Sequence, residues 1–204
     1  MATQSLNPLV AALQQIGADL RAAGREWALI GGLAIGARAE PRTTRDVDLA
    51  VTVKSDKEAE ALVFELQSRG YQTITAIEQE AVGRLSTVRL LPPGEGKSGV
   101  VIDLLFASSG IEPEIVRAAD HLEIVAGLVA PVARTGHLIA LKVLARDDRG
   151  RPQDLDDLRA LLAEAGPEDV AETRTALRLI EERGFQRGRR LSEDFERLLA
   201  APER

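Results

Sequence analysis

A chain of 204 residues, 45% hydrophobic and 28% charged, has the composition of an ordinary globular protein and a length that permits one large domain or two small ones. With no cysteine and two histidines it excludes disulfides and thiolate metal sites and disfavours a histidine-built zinc site. A formal charge of −6 argues against a protein that coats nucleic acid non-specifically, while leaving room for a local basic cleft.

Apolar residues at Leu6, Val10, Leu13, Ile16 and Leu20 recur at helical spacing, with Gly24 as the stop. Trp27–Ile30 reads as a short buried strand. Leu33–Ala39, rich in Ala and Gly, predicts a short, tightly packed helix. Asp46–Val53 alternates like a strand and carries two carboxylates where acidic residues are disfavoured. Ser55 is the expected N-cap of the next helix, with Glu58 as its capping-box partner and Gly70 as its end. Short β runs follow at Tyr71–Ile77, Arg84–Leu91 and Val100–Phe106, the last two joined by a hairpin-type loop from Pro92 to Gly99.

Pro113–Ala119 predicts a short helix, and His121–Val132 two β pieces about Gly127. From Arg134 onward the pattern is helical, with apolar sets at Leu138–Leu144, Leu155–Leu162, Val170–Ile180 and Phe195–Leu199. The order predicts an α+β fold: a small mixed sheet flanked by helices over residues 1–132, then a C-terminal helical domain over 133–204. No apolar run approaches the roughly 20 residues of a membrane span. The N-terminal residues lack the charged and apolar regions of a signal peptide, so the expectation is a cytoplasmic protein with no membrane partner.

The chemistry concentrates around the acidic strand. Side chains alternate along a strand, so Asp46 and Asp48 point one way while Val47 and Leu49 point into the core. Two carboxylates about 7 Å apart can converge on hard cations, and two cations about 3.5–4 Å apart clamp both oxygens of a phosphoryl-type displacement. Magnesium favours one or two carboxylates plus substrate phosphates. Asp103 interrupts the otherwise apolar Val100–Phe106 run, which is costly unless it is paired or metal-bound. If that strand lies beside Asp46–Asp48, Asp103 completes a three-carboxylate cluster. The plainer alternatives are a solvated edge strand for the D-x-D, and a strand cap or arginine partner for Asp103. Gly31-Gly32 allows close backbone approach to a triphosphate, with the following helix presenting its N-terminus to the same anion. A tight strand-to-helix turn is the alternative.

Gly31-Gly32 with the later Ala34, then Arg and Thr residues, then Asp46-Val47-Asp48-Leu49 and a lone later Asp, resembles the nucleotidyltransferase superfamily with the DNA polymerase β-like fold. Within it, the chain resembles the AbiEii/AbiGii toxin-type enzymes over roughly residues 25–162. Gly31-Gly32 stands where family members commonly have Gly-Ser, which shifts phosphate binding toward the backbone. The resemblance implies two magnesium ions on Asp46 and Asp48. It makes Asp103 the third carboxylate of that metal site, helping to deprotonate an attacking hydroxyl. It also implies a phosphate-contacting Lys142, and a closing acidic motif in Arg151-Pro152-Gln153-Asp154-Leu155-Asp156-Asp157, whose Asp154 and Asp157 share a helical face. Arg42, Thr44 and Arg45 join Gly31 and Gly32 as expected nucleotide contacts. Each has a bland reading: charge balance for the arginines, a snorkelling stem for Lys142, helix-dipole acids for Asp154 and Asp157.

The expected activity is magnesium-dependent transfer of a nucleoside monophosphate from an NTP to a hydroxyl, releasing pyrophosphate. The acceptor is tRNA or another RNA 3′ end, a protein, or a small molecule such as an aminoglycoside. The resemblance further implies the toxin of a toxin–antitoxin pair, with a cognate antitoxin as partner. The rival from another class is a catalytically silent nucleotide-binding or regulatory module. Gly96-Lys97-Ser98 does not make a P-loop, because Leu91 stands where its first glycine is required. His121 and His137 have no ligand spacing, and the basic run Arg187–Arg190 reads as a solvated helix end, with contact to an RNA acceptor through Arg187, Arg189 and Arg190 as the alternative.

Overall fold

Asn7 opens the first helix by accepting the backbone N–H of Leu9 at 3.1 Å, and Pro8, which has no N–H to satisfy, follows at N1. This computed structural model describes residues 7–40, 43–79, 82–94, 99–146 and 152–200. Arg42, Arg151 and Gly96-Lys97-Ser98 lie outside the described residues. The elements are α1 (Pro8–Ala22), β1 (Trp27–Ile30), α2 (Gly31–Arg38), β2 (Asp46–Val51), α3 (Asp56–Ser68), β3 (Gln72–Gln79), β4 (Arg84–Leu91) and β5 (Val101–Leu105). There follow α4 (Glu112–Ala118), β6 (Asp120–Val125), β7 (Leu128–Val132), α5 (Thr135–Ala145), α6 (Pro152–Glu164), α7 (Pro167–Glu182) and α8 (Leu191–Ala200). The predicted α+β order is what the chain adopts.

The strands form one mixed sheet of seven, ordered β3-β4-β5-β2-β1-β7-β6. β2 runs parallel to β5 and antiparallel to β1, while β4 is antiparallel to β5. The central strands therefore put Asp46 and Asp48 beside β5, the condition on which the third carboxylate depended. Val47, Leu49, Ile102 and Leu104 are fully buried on the opposite face of those two strands. The hydrophobic core is continuous from Leu9 in α1 to Phe195 in α8, and α5 joins the sheet-side helix α2 to α6, α7 and α8.

Two local features differ from expectation. α2 begins at Gly31, two residues before the predicted start, because the turn out of β1 is made by Gly31 itself in the left-handed region at φ 63°. Ser55 caps α3, its hydroxyl 3.4 Å from the Glu58 N–H, but the Glu58 carboxylate accepts the N–H of Lys54 at 3.1 Å and Arg25 at 2.9 Å instead of closing a box. No helix among the described residues is long and apolar enough to cross a membrane.

Candidate active site

Backbone register lays out the site. In one row across the sheet, Ile30 of β1 stands opposite Asp48 of β2, Asp48 beside Asp103 of β5, and Asp103 opposite Arg89 of β4. Neighbouring side chains in such a row share a face. Asp46 lies two residues back along β2, beside Val101. The three expected carboxylates are thus brought to one face. Asp103 is only 7% exposed, and both of its oxygens are taken by Arg89: Nε to Oδ1 at 2.8 Å and Nη2 to Oδ2 at 2.7 Å. The pairing is a planar two-point fork, the strongest geometry available to a guanidinium and a carboxylate.

Asp48 is clamped from the other side. Its carboxylate accepts the backbone N–H of Gly32. A Cβ on Gly31 would lie 2.0 Å from Asp48 Oδ2, and Gly31 sits at φ 63°. Glycine is required here twice, for the turn and for the carboxylate. Gly31→Ala is therefore expected to cost roughly 1–3 kcal/mol in stability and to displace Asp48. A fall in melting temperature together with loss of transfer activity checks this, whereas an unchanged melt would contradict the close approach.

The proton affinity of Asp48 is raised to about 7, first by burial and then by the negative charges of Asp103 and Asp46; Lys142 and the Gly32 N–H act the other way. Asp46 and Asp48 fit a hard divalent ion on these grounds: two oxygen donors on one strand face, with charge crowded enough that a cation would relieve it. Among the described residues, no three His, Asp or Glu side chains are arranged to hold an ion without further ligands. Water completes the shell of such an ion, and substrate phosphates replace part of that water when they bind, as is common for magnesium.

α5 and α6 supply the facing wall. Lys142 Nζ lies 2.7 Å from Asp154 Oδ1 and 2.7 Å from Asp157 Oδ2, so the lysine and the two acids of the closing motif form one buried cluster. The bland readings therefore miss the main contact: Lys142 is tied down, and the two acids do more than face a helix dipole. Asp154 Oδ2 is buried and has no hydrogen-bond partner among the described residues. A buried acceptor left open costs free energy, so it marks a place for a donor. Between this wall and the sheet lies a cleft of about 270 Å³, lined by Gly31, Gly32, Asp48, Ser108, Ser109, Lys142, Asp154 and Arg187 among others.

The β5–α4 loop reaches the cleft because Glu112 Oε1 accepts the N–H of Ser108 (2.9 Å) and the N–H and hydroxyl of Ser109 (2.7 and 2.9 Å). Gly110 in that loop lies against Phe185, where a Cβ would come within 2.5 Å of the ring. The α7–α8 connection is thereby held over the loop, and Arg187 reaches the Ser108 carbonyl at 3.3 Å. The solvated-end reading of the basic run holds for Arg190, which is 80% exposed, and is corrected for Arg189. Arg189 Nη1 donates to the carbonyls of Val143, Leu144 and Arg146, closing the C-terminus of α5. Of the remaining expected contacts, Arg45 is exposed before β2, and the Thr44 hydroxyl lies 3.5 Å from the Asp46 backbone.

Sequence reasoning missed Arg89, Ser108 and Ser109. Arg89 had a readable signal, being a lone cation within Val88-Arg89-Leu90-Leu91, the counterpart of the lone anion in the next strand. The others had none, because they meet the cleft only through tertiary packing.

A mixed sheet whose central strand end carries paired carboxylates behind a glycine turn, faced by a helical lysine–acid wall, defines the nucleotidyltransferase fold class. Residues 13–203 match the family described as nucleotidyl transferase AbiEii toxin, type IV toxin–antitoxin system. The chain belongs to that family and is an enzyme of the nucleotidyltransferase kind. No curated protein sequence matches it. Among solved structures it is similar to an antigenic nucleotidyltransferase-like protein from Paracoccidioides brasiliensis, with 18% identity over 98% of this chain and 95% of that one and a TM-score of 0.55. It is also similar to ANT(2″)-Ia in complex with adenylyl-2″-tobramycin, with 18% identity over 84% of this chain and 98% of that one and a TM-score of 0.54. At these identities the likeness is one of fold.

Proposed function

We propose that the chain transfers a nucleoside monophosphate from an NTP to a hydroxyl in a magnesium-dependent reaction, on the floor of the cleft between β2 and α5. The observation that carries this is Asp48. It is backed by Gly31-Gly32, aligned with Asp46 on one face, and crowded with negative charge where the cleft opens. Asp46 and Asp48 are the ligands for magnesium, which when bound screens the phosphate charge and orients the α-phosphate. Gly31 and Gly32 approach the triphosphate with backbone, and the N-terminus of α2 favours its anionic end. Lys142 adds a positive charge to the wall, and Asp154 Oδ2 accepts a donor from the nucleotide. Asp157 fixes Lys142. Thr44 and Arg45, with Arg42 outside the described residues, stand at the approach to β2 as phosphate contacts. Asp103 stands beside Asp46 and Asp48, and the lone pairs that the Arg89 fork leaves on its oxygens help deprotonate the attacking hydroxyl. The acceptor oxygen bonds to the α-phosphorus, the bond to the bridging oxygen breaks, and pyrophosphate leaves.

On this reading residues 1–132 carry the carboxylates and 133–204 the facing wall. The protein acts in the cytoplasm, and the family supports a toxin role with a cognate antitoxin. Incubation with each NTP, labelled separately at the α and the γ phosphate, tests the reading against a tRNA pool, a protein lysate and aminoglycosides. Magnesium-dependent transfer of the α label alone is expected, and the acceptor that takes it names the substrate class. Transfer of the γ label would mean a kinase reaction. Binding of NTP with no transfer to any acceptor class would favour a silent module.

A further inference from the structure

Resting on the metal reading above, we propose that Arg89 stands in for a second cation: it keeps Asp103 out of the metal shell, so that the site takes one divalent ion, on Asp46 and Asp48. The contact is built by backbone register and owes nothing to a chance reach of a long side chain. Arg89 and Asp103 are directly opposite on β4 and β5, the positions at which cross-strand pairs meet. The fork uses Nε and Nη2, one for each carboxylate oxygen, at 2.8 and 2.7 Å. Asp103 is enclosed, with 11% of its side chain exposed, whereas Arg89 at 45% closes it from the solvent side.

Charge arithmetic runs the same way. Asp46, Asp48 and Asp103 share one face, and Lys142, the other cation that acts on Asp48, is itself outnumbered by Asp154 and Asp157. One divalent ion together with the Arg89 guanidinium balances the three carboxylates. A second ion would have to displace a two-point ion pair to gain Asp103 as a ligand. Asp103 is then a neighbour of the ion, and Arg89 a positioning residue that acts through it.

The test counts ions on the full chain by titrating Mn2+ alone and following the electron paramagnetic resonance signal of free Mn2+. The expected result is one Mn2+ per wild-type chain, still one in Asp103→Asn, and two in Arg89→Met, where the freed carboxylate becomes available. Should Arg89→Met fail to fold, Asp103→Asn decides, since loss of an ion in that variant would make Asp103 a ligand and overturn the proposal. Two ions on the wild type would overturn it while leaving the carboxylate site intact. No ion on the wild type would overturn both this proposal and the metal reading beneath it.

Discussion

Asp48→Asn is expected to abolish nucleotidyl transfer and, in the same variant, to raise the melting temperature of the metal-free protein. The two effects have one origin. Asp48 sits buried beside Asp103 and Asp46, which pushes its proton affinity up to about 7. Asn keeps the shape and removes the charge. The activity loss should be at least about a hundredfold, since even partners behind metal ligands cost about 10–100-fold when removed. The stability gain has a defined pH window. The folded state holds the Asp48 proton up to about 7, whereas the unfolded chain releases it near 3.8, the ordinary value for an aspartate. Between those values the folded protein binds more protons than the unfolded chain, so wild-type stability attributable to this group falls as pH rises, and is fully lost above about 7. The advantage of the Asn variant should therefore be largest above pH 7 and fade toward pH 4. Melting curves across that range check it. A variant less stable than wild type at pH 8 would contradict the crowding of charge at the site.

The second large effect belongs to Lys142. Its side chain is 15% exposed, and those of Asp154 and Asp157 are 11% and 3% exposed. Lys142→Met removes the cation from between two buried carboxylates. Breaking a buried pair by deleting one partner costs about 3–5 kcal/mol, because the remaining charge is left uncompensated. For a chain of this size that corresponds to a fall in melting temperature on the order of 10 °C. The same change loosens α6 from α5 and opens the wall that faces Asp48, so NTP binding weakens as well. Adding Asp154→Asn and Asp157→Asn to Lys142→Met should restore much of the stability without restoring transfer. A triple variant as unstable as the single one would show that packing of the lysine stem, and not the charge, holds the two helices together.

What was legible in the sequence follows from where its charges stand. Asp46 and Asp48 could be read because strand alternation puts them on one face, and Asp103 because an acid inside an apolar run demands an explanation. Gly31-Gly32 was legible as a turn, but the reason for Gly31 was not: the Asp48 oxygen that fills the space of its missing Cβ comes from another strand. The arginine partner of Asp103 was weighed as a plain alternative, yet Arg89 itself went unnamed, since its place opposite Asp103 is a matter of sheet order. Arg189 looked like one more solvated cation in a basic run, although its partners are carbonyls more than forty residues away in sequence. Local pattern thus fixes the kinds of element and the lone charges, whereas pair identities wait on topology.

The central claim is that Asp46 and Asp48 carry a magnesium-dependent transfer of the α-phosphate. The most direct measurement is incorporation of α-labelled NTP, with release of pyrophosphate, by wild type and by Asp46→Asn combined with Asp48→Asn, each shown folded by its melting curve. Magnesium-dependent incorporation by the wild type and none by the folded double variant is the predicted result. Equal incorporation by both would place the chemistry somewhere other than on this strand.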